Sequence, residues 1–164
     1  MDLQHQFLAK YLPELNQRKT TVSAVSVTEN CNFMLPTILQ GNTATYTRKT
    51  DVITLPFSNL KTASYYRTLF HELAHSTAHK IRLNRNNVGL FGSYSYTHEE
   101  LIAEFTAILL CFKTDLLKDN LHHHAEYINA WHVYLWRFTK GKHTNKSLTY
   151  CIDSARIIAD YILY

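Results

Sequence analysis

Two histidines and a glutamate between positions 71 and 75 have the types and spacing needed to bind a metal ion and activate water. His71 and His75 are four residues apart, and Glu72 directly follows the first histidine. On an α-helix, side chains four residues apart lie on nearly the same face, so both imidazoles can bind one ion. A divalent ion lowers the pKa of its bound water, and a neighbouring carboxylate can accept the proton. The pattern predicts hydrolysis at a metal centre, with Glu72 as the general base.

The sequence around these residues is typical of an amphipathic helix. Either Thr62 or Ser64 can cap its first turn. An apolar stripe runs beside the two histidines and consists of Leu69, Phe70, Leu73 and Ala74. The same short pattern also occurs in ordinary amphipathic helices whose histidines bind no metal, so this alternative stays open.

A second predicted helix, which opens at Thr97, offers carboxylates for a third ligand position. One face carries Glu100, Glu104 and two alanines, and small residues allow another helix to approach closely. Either glutamate could reach the ion, and a fourth position would remain open for water. Thr97 and Glu100 also have the spacing of a capping box, which would engage Glu100 at the helix start instead.

The other segments predict a mostly helical α+β chain that forms one domain over residues 1–164. Helical spacing of apolar residues predicts the helices, and β-branched residues bounded by turn residues predict the strands. In chain order the segments are a helix over 2–17 that Pro13 interrupts, a strand over 20–28, a loop over 29–42, a hairpin formed by 44–47 and 51–55, a loop over 83–96, and helices over 120–139 and 148–162.

One edge of the predicted hairpin could bind an extended substrate. The hairpin precedes the helix that carries His71, and extended peptides bind by adding a strand to an exposed sheet edge. A role as scaffold alone explains the same pattern equally well.

The helix predicted over 120–139 contains three consecutive histidines and a stripe that is typical of a core. The stripe consists of His124, Tyr127, Ile128, Trp131, Leu135 and Phe138. Consecutive helical residues point about 100° apart, so His122, His123 and His124 cannot converge on one ion. The histidines at 71 and 75 therefore remain the predicted metal ligands.

Composition limits the function further. The formal charge of +4 excludes an acidic mimic of DNA but does not demonstrate nucleic-acid binding. Cys31, Cys111 and Cys151 form no Cys-x-x-Cys pair, so we expect neither a disulfide framework nor a thiolate metal site. No apolar run reaches membrane-spanning length and the N-terminus lacks a signal-peptide pattern, so we expect a cytoplasmic protein that does not contact membranes.

Several of these stretches together resemble the zincin-like metallopeptidase domain of ArdC-type antirestriction and polyvalent proteins. The resemblance covers residues 43–164, whereas residues 1–42 add a predicted helix and strand. It rests on Leu69–His79, Arg82–Arg85 and Glu99–Glu104, with further similarity at Tyr46, Asp51–Pro56, His124–Trp131 and Ala159–Leu163.

The resemblance implies an α+β, mostly helical zincin-like fold with a small antiparallel sheet and a His-Glu-x-x-His active-site helix. It implies a metal-dependent peptidase carried by mobile elements, with zinc, or another divalent ion such as Mn²⁺, as cofactor. The expected partner is a protein or peptide substrate, such as a host restriction or defence protein. Nucleic-acid binding is not carried over, because residues 1–42 are too few for the family's N-terminal DNA-binding domain.

A non-enzymatic module that binds a host protein or DNA around a structural metal is the alternative function. Glu72 argues against it, because a structural site needs no general base beside its first ligand. The spacing of Glu100 and Glu104 resembles that of gluzincins, in which a ligand glutamate is followed four residues later by a carboxylate that orients a histidine. That resemblance assigns Glu100 as the third ligand and Glu104 as the orienting residue, with Glu104 as the alternative ligand.

Overall fold

Six α-helices and three β-strands make up the described part of the computed structural model, which comprises residues 3–17, 21–29, 33–56, 61–86 and 89–164. The helices are α1 (Leu3–Ala9), α2 (Ala24–Glu29), α3 (Ala63–Ser76), α4 (Tyr94–Lys113), α5 (Leu121–Thr139) and α6 (Thr144–Leu163). The strands are β1 (Thr37–Gly41), β2 (Thr45–Thr47) and β3 (Val52–Pro56), and short 3-10 helices cover Pro13–Asn16 and Lys118–Asn120.

The sheet has the strand order β1-β3-β2, so β2 lies at its edge. Strands β2 and β3 pair antiparallel, with Tyr46 opposite Ile53, as the hairpin prediction required. Strand β1 pairs parallel with β3, with Thr37 opposite Val52, and it lies in the segment predicted as a loop. The α+β, mostly helical fold class is confirmed. The small sheet is mixed and not antiparallel as the resemblance implied, because β1 pairs parallel with β3.

The strand predicted over residues 20–28 is wrong, because Ala24–Glu29 form α2 instead. The hydroxyl of Ser23 accepts a hydrogen bond from the backbone N–H of Val25 at 3.2 Å, which caps the start of this helix. Helical geometry also turns Val27 into the core, where its exposure is 2%. A local cap and burial therefore override the β-propensity of valine.

The helix that carries the histidines packs against α4, whose residues from Glu99 to Cys111 are all buried. Thr62 caps α3, since its side chain accepts from the N–H of Tyr65. Helix α4 begins three residues earlier than predicted, because Ser93 accepts from the N–H of Tyr96 and acts as the cap. The predicted capping box of Thr97 and Glu100 is therefore wrong as the cap of this helix.

The two C-terminal helices form as predicted. Helix α5 ends where Lys140 and Gly141 adopt positive φ angles of 50° and 75°, which a helix cannot continue through. Cys111 and Cys151 are buried free thiols, and Cys31 lies outside the described residues. Among the described residues, no helix combines the length and apolar character needed to cross a membrane.

Candidate metal centre

Three side chains from α3 and α4 point their donor atoms at one small volume. The Nε2 atoms of His71 and His75 are 3.2 Å apart. Glu100 on α4 places Oε2 at 3.5 Å from His71 Nε2 and Oε1 at 3.7 Å from His75 Nε2. Ligand atoms about 2.0–2.1 Å from a tetrahedral ion lie roughly 3.3–3.4 Å from one another. The three donors are therefore spaced as one divalent ion requires.

The opposite nitrogen of each histidine contacts a different glutamate of α4. His71 Nδ1 lies 2.8 Å from Glu104 Oε2, and His75 Nδ1 lies 3.0 Å from Glu99 Oε1. A carboxylate accepts only from a protonated nitrogen, so both Nδ1 atoms carry the proton and both Nε2 lone pairs face the same point. When both imidazoles are neutral, two lone pairs face each other at 3.2 Å, and a cation between them, either a proton or a metal ion, removes their repulsion. This donor set fits a metal ion.

Glu99 is a site residue that the sequence analysis missed. It is held by Arg85, whose Nη1 and Nη2 donate to Oε2 and Oε1 at 2.7 and 2.9 Å. The same guanidinium donates to the hydroxyl of Thr77 and to the carbonyl of Ala74 at the end of α3. The signal that could have identified Glu99 is chemical: each ligand histidine needs an acceptor for its second nitrogen.

Glu104 lies deeper in the protein and joins α5 to the centre. Its second oxygen, Oε1, is 2.6 Å from Nδ1 of His124, and both side chains are at most 1% exposed. The Nε2 atom of His124 is buried without a hydrogen-bond partner among the described residues. His124 therefore belongs to this buried pair, whereas His122 and His123 are exposed.

Tyr127 on α5 also contacts the centre, although the sequence placed it in a core stripe. Its hydroxyl donates to Glu100 Oε2 at 2.6 Å, and its ring centroid lies 5.3 Å from that of His71. Burial, then the charge of Glu100 and its hydrogen bond, raise the pKa of Tyr127, which keeps the hydroxyl protonated as a donor. Tyr127 thereby fixes the orientation of Glu100.

The electrostatics of the centre favour a cation. Burial tends to lower the pKa of His71, but hydrogen bonds with Glu100 and Glu104 and the charges of Glu104 and Glu72 outweigh burial and raise it to about 10. Burial tends to raise the pKa of Glu100, but His71, His75 and Tyr127 lower it to about 2. The carboxylates are thus ionised at neutral pH, and buried carboxylates are stable only when positive charge compensates them.

An open cleft of about 510 Å³ gives access to the three donors. Glu72, which is 7% exposed, lines the cleft beside His71 and His75. Residues 44–46 of the β2 segment form part of one wall, and Tyr96 from the start of α4 also lines the cleft. Burial and the charges of Glu100 and Glu72 raise the pKa of Tyr96. The predicted general base and the predicted ligands therefore share one solvent-accessible space.

The structure brings together His71, Glu72, His75 and Glu100, and it places Glu104 behind His71 rather than at the shared point. Their catalytic and metal-binding roles stay predictions. Among the described residues, no other group of three or more His, Cys, Asp or Glu side chains converges in this way.

Parts of this chain are similar in sequence to known proteins. A family model described as zincin-like metallopeptidase matches residues 32–139. The uncharacterised protein y4eC of Sinorhizobium fredii is 36% identical over 93 residues, which are 56% of this chain and 30% of that protein. The DNA primase TraC of Escherichia coli is 36% identical over 125 residues, which are 73% of this chain and 12% of the primase.

Two crystal structures are similar over 92% of the chain, and both are of the antirestriction protein ArdC from plasmid R388. The Mn(II)-bound structure has 29% sequence identity and a TM-score of 0.60, and the match covers 51% of that protein. The metal-free structure has 25% identity and a TM-score of 0.50, with 50% of it covered. The chain thus spans about half of the solved relative and less than a third of the two curated relatives.

Proposed function

Because the chain belongs to the zincin-like metallopeptidase family, we propose that it hydrolyses peptide bonds with a divalent metal held by His71, His75 and Glu100. The resemblance to ArdC-type proteins is confirmed by the structural match. The observation that supports a catalytic role most strongly is the position of Glu72 in the same cleft as the three converging donors.

The proposed reaction divides the work among residues of α3 and α4. A divalent ion in the site would polarise the substrate carbonyl and lower the pKa of a water molecule. Glu72 would accept a proton from the attacking water and pass it to the leaving amine. Glu99 and Glu104 hold the imidazoles of His75 and His71 in the tautomer that leaves Nε2 free.

Strand β2 supports a peptide as the substrate. It lies at the edge of the sheet, and residues 44–46 line the cleft. An extended peptide can therefore add to this edge through main-chain hydrogen bonds, as in other β-augmentation complexes. The substrate backbone would then lie across the cleft in front of Glu72.

Zinc is the metal we propose, because two imidazoles, one carboxylate and an open position are typical of catalytic zinc sites. Mn(II) is the alternative, since the R388 ArdC structure contains it. We further propose that the substrate is a host restriction or defence protein, because that relative is an antirestriction protein. Elemental analysis of protein purified without added metal would distinguish the two ions.

The test of the proposed function is Glu72→Gln, with Glu126→Gln as the matched control at an exposed position of α5. Each variant is incubated with a host lysate, and new peptide termini are identified by mass spectrometry. We expect Glu72→Gln to retain the metal and lose about 10²–10⁴-fold of the cleavage rate, because the amide cannot accept the proton. The control should cleave as the wild type does.

A transfer assay separates peptidase activity from a binding function. Each variant is expressed in a restricting host, and the survival of incoming unmodified DNA is counted. If Glu72→Gln protected that DNA as well as the wild type, peptide hydrolysis would not explain antirestriction, and a non-enzymatic binding module would replace it.

A further inference from the structure

A continuous row of aromatic rings leads away from the metal centre. The Tyr127 ring, which contacts His71, lies 6.3 Å from the Trp131 ring. Trp131 in turn contacts Tyr96 at 5.6 Å and Tyr134 at 5.3 Å. Phe91 completes the row, at 5.2 Å from Tyr96 and 6.4 Å from Trp131. We refer to Phe91, Tyr96, Trp131 and Tyr134 as the aromatic shelf.

The aromatic shelf is open to solvent and continuous with the cleft. Phe91 is 82% exposed, its neighbour Leu90 is 85% exposed, and Tyr134 is 41% exposed. Tyr96, at the inner end, lines the cleft together with Glu72 and Glu100. Large apolar side chains that form a contiguous exposed patch usually mark a binding surface. An occupant of the cleft would therefore also contact the shelf.

The charges around the cleft indicate which kind of occupant fits. Aromatic rings can stack either on nucleic-acid bases or on apolar side chains. Glu72, Glu99 and Glu100 line the cleft beside the shelf, and Arg48 lines it on the side of β2. Glu99 is paired with Arg85 and Glu100 faces the proposed metal position, so it is the charge of Glu72 that acts on an occupant and disfavours a phosphate backbone here. A peptide carries no such charge along its backbone.

We propose that the aromatic shelf is the subsite for an aromatic or large aliphatic side chain adjacent to the scissile bond of the peptide substrate. The inference rests on the proposed peptidase function and adds its side-chain specificity. A peptide extended along β2 directs alternate side chains to opposite faces. One of these side chains would then lie over Tyr96 and Trp131, because Tyr96 lines the same cleft as residues 44–46 and its ring contacts Trp131.

Cleavage-site profiling of a proteome-derived peptide library tests this proposal directly. The zinc-loaded wild type, Trp131→Ala, Phe91→Ala and the control Trp136→Ala are compared. Trp136 is on the same helix as Trp131 and is 56% exposed, but it lies beside Gly141, outside the shelf. Because Phe91 is 82% exposed, its removal should leave the fold intact even if Trp131→Ala misfolds.

We expect the wild type and Trp136→Ala to prefer large apolar residues at one position next to the cleaved bond. Trp131→Ala should reduce that preference about threefold to thirtyfold, and Phe91→Ala should reduce it less, because each substitution removes part of the stacking and buried area. The preference is measured in each protein as the ratio of cleavage of peptides with a large apolar residue at that position to cleavage of peptides with alanine there, so a change in overall activity does not enter it.

The outcomes distinguish this inference from the proposed function. Cleavage without any side-chain preference, or a preference that both shelf variants retain, would overturn the inference and leave the peptidase function in place. No cleavage of any library peptide by the metal-loaded wild type would overturn both. If Trp131→Ala lost binding of a fluorescent single-stranded oligonucleotide while keeping the cleavage preference, the shelf would be a nucleic-acid surface, and the inference would be wrong.

Discussion

Two polar networks contact the C-terminal half of the histidine helix, one around Arg82 and one at the metal centre, and they differ in how their charges are balanced. At the carbonyl end of α3, the guanidinium of Arg82 donates to the carbonyls of Ser76 and Met34, to the hydroxyl of Tyr46 and to both carboxylate oxygens of Asp51. These five contacts use all five N–H donors of an arginine. One cation meets one anion, so the Arg82 network is complete as it stands.

The metal-centre network has the opposite character. Glu99 is paired with Arg85, but Glu72 and Glu100 add negative charge, and Glu100 faces the Nε2 atoms of both ligand histidines. A closed network of complementary charges supports the fold, whereas one with an excess of anionic donors is stabilised by a bound cation. Burial and ion pairs occur in both networks and so do not identify a metal site. The metal centre differs in having buried carboxylate and imidazole donors whose charge a bound cation would compensate.

His71→Ala should have the largest effect and should change only the metal-centre network. We expect loss of metal binding, because removal of one of three protein ligands leaves too few donors. The Arg82 network should hold α3 in place, so helical content should be retained. Elemental analysis measures the bound metal, and circular dichroism measures the helical content. Full metal occupancy in the variant would place the ion elsewhere, and the run from His122 to His124 would be examined first.

Arg82→Met should affect stability rather than metal binding. It removes the cationic partner of Asp51 and one donor from each of three other acceptors, which costs about 3–5 kcal/mol of unfolding free energy for a pair whose guanidinium is fully buried. Arg156→Met is the control, because Arg156 pairs with Glu14 at the surface, and such pairs contribute about 0–1 kcal/mol. Urea denaturation gives both values. A loss of zinc affinity as large as the loss of stability would show that the two networks are coupled.

Glu100→Gln and Glu104→Gln should weaken metal binding to different extents. Loss of an orienting carboxylate typically weakens metal affinity about 10–100-fold, and loss of a ligand should weaken it further. We therefore expect the larger loss in Glu100→Gln, whose carboxylate faces both Nε2 atoms. Competition with a chromogenic chelator measures both affinities. A larger loss in Glu104→Gln would reverse the assignment and make Glu104 the ligand.

The part of the site that helix periodicity controls could be predicted from the sequence. The spacing of His71 and His75 fixes both side chains on one face once α3 forms. Helix periodicity likewise determines which face of α4 carries Glu100. Arg85 and Tyr127 could not be predicted, because their contacts depend on how a loop and α5 pack against the centre. Sequence separation carries no information about such packing angles.

The same distinction explains the errors in the fold. Val27 and its neighbours have high β-propensity, but the Ser23 cap and burial against the core produce a helix. Strand β1, Thr37–Gly41, contains a glutamine and a glycine and has no alternating pattern. It forms through its parallel pairing with β3, which is a tertiary interaction. Local patterns predicted the hairpin of β2 and β3 because its two strands are adjacent in sequence.

Asp51→Asn should produce the smallest effect and should show how the Arg82 network depends on pH. Burial tends to raise the pKa of Asp51, but hydrogen bonds from Arg82 and Tyr46 and the charge of Arg82 outweigh it, so the pKa lies below its ordinary value. A lowered carboxyl pKa stabilises the fold above the unfolded-state pKa of about 3.9, and this contribution is lost as the pH falls through the folded-state pKa.

Asparagine is the suitable replacement, because residue 51 has a φ of 55° and asparagine tolerates the left-handed region. At pH 7 the variant should be less stable than the wild type by about 1–2 kcal/mol, since it retains one acceptor oxygen for Arg82 but loses the charge. The difference should stay constant down to about pH 5 and narrow towards pH 3, where the wild-type carboxylate approaches its own protonation. Urea denaturation of both proteins at several pH values measures this difference in unfolding free energy. A difference that widened on acidification would mean that residue 51 stabilises the turn through its backbone conformation and not through its charge, and the balanced ion pair would then not explain the Arg82 network.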